Sequence, residues 1–208
     1  MLAIKSRVGS LLGRHQVAYV SSYPPRECGI ATFTRDVAMA VDKFTPLTHG
    51  FVVAVNDGRT SHAYPALVRG QIERDVASSY DEAAALLNDS HCRAINIQHE
   101  YGLFGGDWGS HLLRLMDRVR QPIALTLHTV LPRPEPGLWS VTRTLIARAA
   151  TTIVLSRSAV EILERDYGIS SEVLRFIPHG VPNVRKISQR KAKQALGLAG
   201  RTVLATCG

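Results

Sequence analysis

A change of period, repeated along the chain, limits the folds this sequence can adopt. Short apolar runs at Gln16–Ser21, Gly50–Asn56, Ala94–His99, Pro122–His128, Thr151–Leu155 and Val173–Ile177 alternate with stretches whose apolar residues recur every three or four positions. A run of that length with no polar face belongs in a sheet buried on both sides. The helical segments between runs supply the two coverings, as βαβ crossovers joining parallel strands. The expected fold is α/β, a doubly wound parallel sheet.

The intervening segments give individual helix predictions. Ile30, Phe33, Val37 and Val41 share one face of a helix to which Ala38 and Ala40 add propensity. Ser79 with Glu82, and Ser158 with Glu161, have capping-box spacing and predict helix starts there. Leu112, Leu115, Met116 and Val119 predict a helix from Ser110, and Leu138, Val141, Leu145 and Ala149 predict the next. Residues from Arg59 to Ser78 keep neither period, so no element is assigned to them. Near the end, a short helix is expected over Lys191 to Leu196, then a strand from Thr202 to Thr206 closed by Cys207-Gly208.

Composition narrows the function classes. The chain has 208 residues, 45% hydrophobic and 20% charged, enough for one full core or one core plus a fragment. Its formal charge of +8, from 25 Lys and Arg against 17 Asp and Glu, favours anionic partners such as nucleotides or phosphorylated sugars. The basic cluster from Arg185 to Lys193 reads as a solvated helix face or linker. With 6% aromatic residues and no RNA- or DNA-binding module, nucleic acid is not an expected partner. Cys28, Cys92 and Cys207 lack disulfide or zinc-ligand spacing, which fits a reducing, cytoplasmic setting. The apolar stretches between Met1 and Gln16 are too short for a signal-peptide core, and no run reaches membrane-spanning length. Any membrane association is expected to be peripheral.

In a doubly wound sheet, ligands gather beyond the carboxyl ends of the strands. The unusual residues concentrate in the loops expected there: Ser22–Gly29, His99–Gly109, His128–Pro136 and Pro178–Pro182. Gly29 opens a helix, where free N–H groups and the dipole favour an anion and a glycine lets its oxygen approach closely. The same glycine serves equally as a simple turn. No GxGxxG fingerprint is present, which argues against a nicotinamide or flavin enzyme. His99 and Glu100 have side chains suited to binding hydroxyls; the alternative is a local salt-bridged turn, with Tyr101 and Phe104 packing as lids on the core. His128 follows its strand beside Thr126 and Thr129. None of these forms a metal-ligand set, and there is neither a nucleophile elbow nor a Walker loop.

Taken in order, these residues resemble a known family. Gly29 at a helix start, His99-Glu100 after one strand, Thr126-Leu-His-Thr129 after the next and Ile177-Pro-His-Gly-Val181 at the domain exit are similar to the N-terminal domain of a GT-B glycosyltransferase. The similarity is greatest to the retaining family-four bacterial group, which includes mannosyl- and glucosyltransferases, and it runs from about Val17 to Gly208. The resemblance implies a Rossmann-like domain on the acceptor side of a cleft, working on a nucleotide-sugar substrate with no cofactor and no required metal. It implies that Gly29 meets the donor diphosphate and that His128 is the catalytic residue beside the transferred sugar. His99 and Glu100, with Tyr101, Arg26 and Glu27, line the acceptor side, and His179-Gly180 forms the exit loop. Cys28 stands where the family has the first of two glycines, and Pro182 where it has an acid.

The domain organisation expected on this basis is a lead at 1–15, the acceptor-side domain at 16–182, and at 183–208 a linker with the first strand of a donor domain. The family's donor-binding cations lie in that donor domain, so the chain by itself is expected to transfer a hexose weakly or not at all. A separately encoded C-terminal transferase domain is the expected partner, and the acceptor is a glycan, lipid or small molecule. The alternative is a non-catalytic glycan- or partner-binding module of the same fold. An unrelated nucleotide-binding α/β protein requires the His99 and His128 loops to lie far apart.

Overall fold

A computed structural model describes residues 16–45, 50–58, 62–181 and 185–205. Seven strands form one sheet: β1 (Val17–Ser21), β2 (Phe51–Asn56), β3 (Val68–Glu73), β4 (Ala94–His99), β5 (Ile123–Leu127), β6 (Thr151–Val154) and β7 (Leu174–Phe176). Their order is β3-β2-β1-β4-β5-β6-β7 and every pairing is parallel. The helices are α1 (Gly29–Phe44), α2 (Ala77–Asp89), α3 (His111–Met116), α4 (Pro136–Arg148), α5 (Arg157–Tyr167) and α6 (Gln189–Ala195), with 3-10 turns at Asp107–Gly109 and Ser171–Val173. The expected doubly wound α/β fold is the one observed.

Strand burial follows the apolar runs. β2 is buried at every position, as a strand covered on both faces must be. One face of β1 and β2 (Tyr19, Val52, Ala54) packs with Tyr23 and with Ala38 of α1. The other face (Val20, Val53, Val55, then Ile95 and Ile97 of β4) joins a larger cluster with Tyr80 and Leu87 of α2 and Leu112 and Leu115 of α3. The chain runs outward from β1 to β3 and then returns, placing β4 on the free side of β1. The loops after β1 and β4 therefore diverge, and this switch point is where a crevice opens in such sheets.

Four local expectations are corrected. β3 lies in the segment to which no element was assigned. Only Ile72 of its six residues is fully buried, because an edge strand has one paired side and keeps polar residues such as Arg69 and Gln71. Helix α2 starts at Ala77 with Val76 as its N-cap. The Ser79 hydroxyl does not cap it, but reaches the Val76 and Glu73 carbonyls and accepts the Glu73 N–H. Helix α5 starts two residues before the expected box, capped by Ser156, whose hydroxyl accepts the Ala159 N–H at 3.1 Å. Thr202 to Ala205 carry no strand: Leu204 is 96% exposed, and a strand forms only where another is available to pair with it. The expected lead at 1–15, Pro182 and the end of that strand from Thr206 to Gly208 lie outside the described residues.

The chain divides into two compact units, Met1–Pro178 and His179–Gly208. The first holds the whole sheet. In the second, Ser188 caps α6 by accepting the Lys191 N–H, Lys193 Nζ donates to the Arg201 carbonyl, and no residue of the helix is buried.

Candidate active site

Helix α1 begins at Gly29 with an amino end that no acid neutralises. Its N-cap, Cys28, makes no side-chain capping hydrogen bond, and its first turn contains no acid. Gly29 is exposed, its φ is not left-handed, and a Cβ built on it would meet nothing within 4 Å. Neither backbone conformation nor packing within the chain thus requires glycine here. What remains is room for something outside the chain to approach the first-turn N–H groups.

Cys28 borders that opening. Burial alone would push its thiol up. The Ser22 hydroxyl, donating to Sγ at 3.6 Å, the nearby Ala31 and Ile30 N–H groups and the Arg26 charge outweigh burial and hold the thiol below its ordinary value. An environment that favours a negative sulfur is one that favours negative charge generally.

His128, just after β5, packs against Phe33, one helical turn into α1 from Gly29. Its ring meets Phe33 edge-on, with centroids 4.8 Å apart. Its Nε2 is 2.9 Å from Gln98 Oε1, and Gln98 Nε2 donates to Asn96 Oδ1 at 2.5 Å. With the amide oriented by Asn96, Gln98 accepts, so Nε2 of His128 carries a proton and donates to it. The His128 N–H also donates to the His99 carbonyl at 3.0 Å, so the two histidine loops are adjacent. That adjacency removes the reading that needed them far apart.

His99 points the other way, into the interior. It is fully buried, stacked on Phe104 (5.8 Å, 10°) and edge-on to Tyr101 (5.1 Å, 89°). Neither ring nitrogen has a hydrogen-bond partner among the described residues. Burial, with the His128 charge second, lowers its pKa to about 3, so the ring is neutral at any physiological pH. Glu100 has both carboxylate oxygens engaged: Oε1 accepts the Tyr101 N–H at 3.0 Å and Oε2 accepts the Thr129 hydroxyl. It thereby clamps the loop after β4 to the loop after β5. The Tyr101 hydroxyl pairs with Thr142 Oγ1 of α4 at 3.0 Å.

The structure therefore brings Gly29, His128, His99, Glu100 and Tyr101 to one edge of the sheet. Arg26 is committed elsewhere: Nη1 donates to the Val55 carbonyl at 2.9 Å, and Nη2 lies 3.5 Å from Asp57 Oδ2, bracing the first loop against β2. Glu27 is exposed beside it. His179 and Gly180 belong to the second unit, where His179 Nδ1 is 2.9 Å from the Gly180 carbonyl oxygen. The sequence reading overlooked Gln98, Asn96 and Phe33. Alternation within Ala94–His99 was the available signal, since it sets Asn96 and Gln98 on one face as a polar pair inside an apolar run. Among the described residues no group of three or more His, Cys, Asp or Glu is arranged to hold a metal ion, and no helix is long and apolar enough to cross a membrane.

Comparison with known proteins identifies the fold and the family. A glycosyltransferase from Rickettsia africae ESF-5 is similar over 90% of this chain and 50% of its own, at 13% identity and a TM-score of 0.59. An α-glucosyltransferase solved with UDP and a 13-mer DNA containing a HMU base is similar over 79% of this chain and 42% of its own, at 15% identity and a TM-score of 0.55. At such identities the likeness is one of fold, and the chain spans half or less of the length of these structures. A search of curated proteins gave no match. The sequence profile of Glycosyltransferase Family 4 matches residues 29–185, from the glycine that opens α1 to beyond the last strand: the chain belongs to glycosyltransferase family 4.

Proposed function

We propose that this chain is the acceptor-side part of a retaining hexosyltransferase that draws its sugar from a nucleoside diphosphate donor. One observation carries the reading: the open, uncapped start of α1 at Gly29 lies one turn from Phe33, against which the His128 ring rests. In glycosyl transfer the bond to the diphosphate breaks as an oxocarbenium-like centre forms, and negative charge builds on the leaving oxygens. The N–H groups and dipole at α1 suit those oxygens. His128, its ring fixed by Gln98, holds a sugar hydroxyl in place beside them. His99, locked neutral in the core, is a brace and not a proton carrier. Membership of family 4 and the fold shared with an α-glucosyltransferase solved with UDP support this reading.

A single helix end neutralises part of a diphosphate, and Arg26 is already occupied by Val55 and Asp57. The remaining positive charge is supplied by a donor-binding half, and no metal is needed. The test is release of nucleoside diphosphate from UDP-glucose and GDP-mannose by the chain supplemented with a separately expressed donor-binding half of a family-4 enzyme. Turnover is expected with one donor. Gly29→Ala should then raise the donor KM about tenfold, a loss of about 1.4 kcal/mol, with Tm nearly unchanged because the new methyl meets nothing within 4 Å. His128→Ala should cut kcat about a hundredfold. Absence of turnover with every donor, or a Gly29→Ala variant that matches wild type, overturns the reading.

A further inference from the structure

Trp108 is held in a conformation that its own burial does not explain. It is a bulky residue at φ 55°, ψ 26°, in the left-handed region where a β-carbon is crowded. Glycines at φ +76° (Gly106) and φ +79° (Gly109) flank its short turn. Neither position tolerates a side chain: a Cβ on Gly106 would lie 2.5 Å from Ser110 Oγ, and one on Gly109 3.3 Å from the Tyr101 carbonyl oxygen. The turn is thus fixed around a residue that stays 36% exposed. A strained residue kept partly in solvent is the pattern of a ligand contact, not of a core anchor.

Its surroundings fit the same conclusion. The indole meets the Tyr101 ring edge-on, with centroids 6.5 Å apart, and its Nε1 lies close to the start of α4. A Cβ on Gly137 would sit 3.2 Å from Trp108 Nε1 and 3.6 Å from Glu135 Oε1. The missing side chain at Gly137 lets the indole and the Glu135 carboxylate share one bare stretch of backbone. Asp107, also exposed, precedes the indole in the chain. A flat apolar face beside carboxylates matches a pyranose ring, whose C–H face stacks on the indole while its hydroxyls donate to the acids. The same acids disfavour a phosphate-bearing ligand, and one indole offers no groove for an acyl chain.

We propose that Trp108 and Glu135 form a subsite for one pyranose ring of a glycan acceptor. Tyr101 touches both Trp108 and His99, and the His99 carbonyl binds the His128 N–H, so the subsite lies on the same sheet edge as the reacting end. Calling that ring part of the acceptor rests on the transferase reading above; the subsite itself does not.

The chain has two tryptophans, so a 15N-labelled sample gives two indole N–H signals. Methyl α-D-glucopyranoside, methyl α-D-mannopyranoside and methyl β-D-galactopyranoside are titrated to about 100 mM, because a single ring gains little binding energy. The expected result is a saturable shift of the Trp108 signal with at least one glycoside while the Trp139 signal stays still. Glu135→Gln should weaken that response about fivefold. Trp108→Asn, which accepts the left-handed backbone and so keeps the fold, should abolish the corresponding shift of the Gly137 amide. No saturable shift, an equal shift at Trp139, or an undiminished Gly137 response in Trp108→Asn overturns the subsite. Loss of the glycoside response with donor turnover intact removes the subsite alone, whereas a response without donor turnover removes the transferase reading alone.

Discussion

His99 and His128, 29 positions apart, share a backbone hydrogen bond but sit in opposite electrostatic settings. His128 is partnered by Gln98 at the sheet edge, whereas His99 is buried with both nitrogens unbonded among the described residues. The second setting has a consequence for stability. In the unfolded chain the His99 imidazole takes up a proton near its ordinary 6.5, but in the folded chain only near 3. Between those values the unfolded state binds more protons, so this group removes stability as pH falls from 6.5 towards 3 and removes none above 6.5. The slope reaches about 1.4 kcal/mol per pH unit for one proton. Urea unfolding of His99→Phe at pH 7 and pH 5 should show a smaller difference than wild type, by about 2 kcal/mol. An equal difference in both proteins would mean that His99 is not held neutral. Both histidines were visible in the sequence as strand-end residues, but their division of labour was not. Which face of a strand end a side chain takes depends on neighbours such as Phe104 and Gln98, whose contacts no spacing rule encodes. Glu100 shows the same limit: its type suggested a ligand for hydroxyls, while its position spends both oxygens on Tyr101 and Thr129.

Among the elements, long buried strands were the most legible, because β2, buried at every position, stands out as an almost unbroken apolar run. β3 was hidden for the complementary reason, since an edge strand half open to water looks like a loop in composition. Helix starts were placed within three residues, the largest error being at α2, and the wrong serine was chosen at α5. Ser156 and Ser158 have hydroxyls 2.9 Å apart, and only the geometry shows that Ser156 takes the Ala159 N–H. Ser156→Ala should therefore cost about 1 kcal/mol of stability, and Ser158→Ala clearly less, by urea denaturation. The reverse order would return the cap to Ser158. The far end of the same helix closes on Gly168 at φ +63°, so both its boundaries are set by single residues.

For the whole molecule, every strand and both buried clusters lie before Pro178, and the second unit buries no residue of its helix. A chain of residues 1–178 should unfold cooperatively with a Tm within a few degrees of the full chain, as read by calorimetry. A drop of about 10 °C or more would show that the second unit contributes to the core after all. The seven-strand parallel sheet also sets an order of events. Its central ladder joins Val17 to Ala94 and Val20 to Ile97, strands separated by the whole of the first βαβ half. Closing so long a loop before any contact rewards it is slow. A nascent chain that has emerged only as far as β3 has β1, β2 and α1 to work with, so Gly29 at the start of α1 then faces no His128. Ligand binding is absent until the central ladder closes, and during refolding it should return in one phase with that ladder, with no amplitude from the half-built sheet.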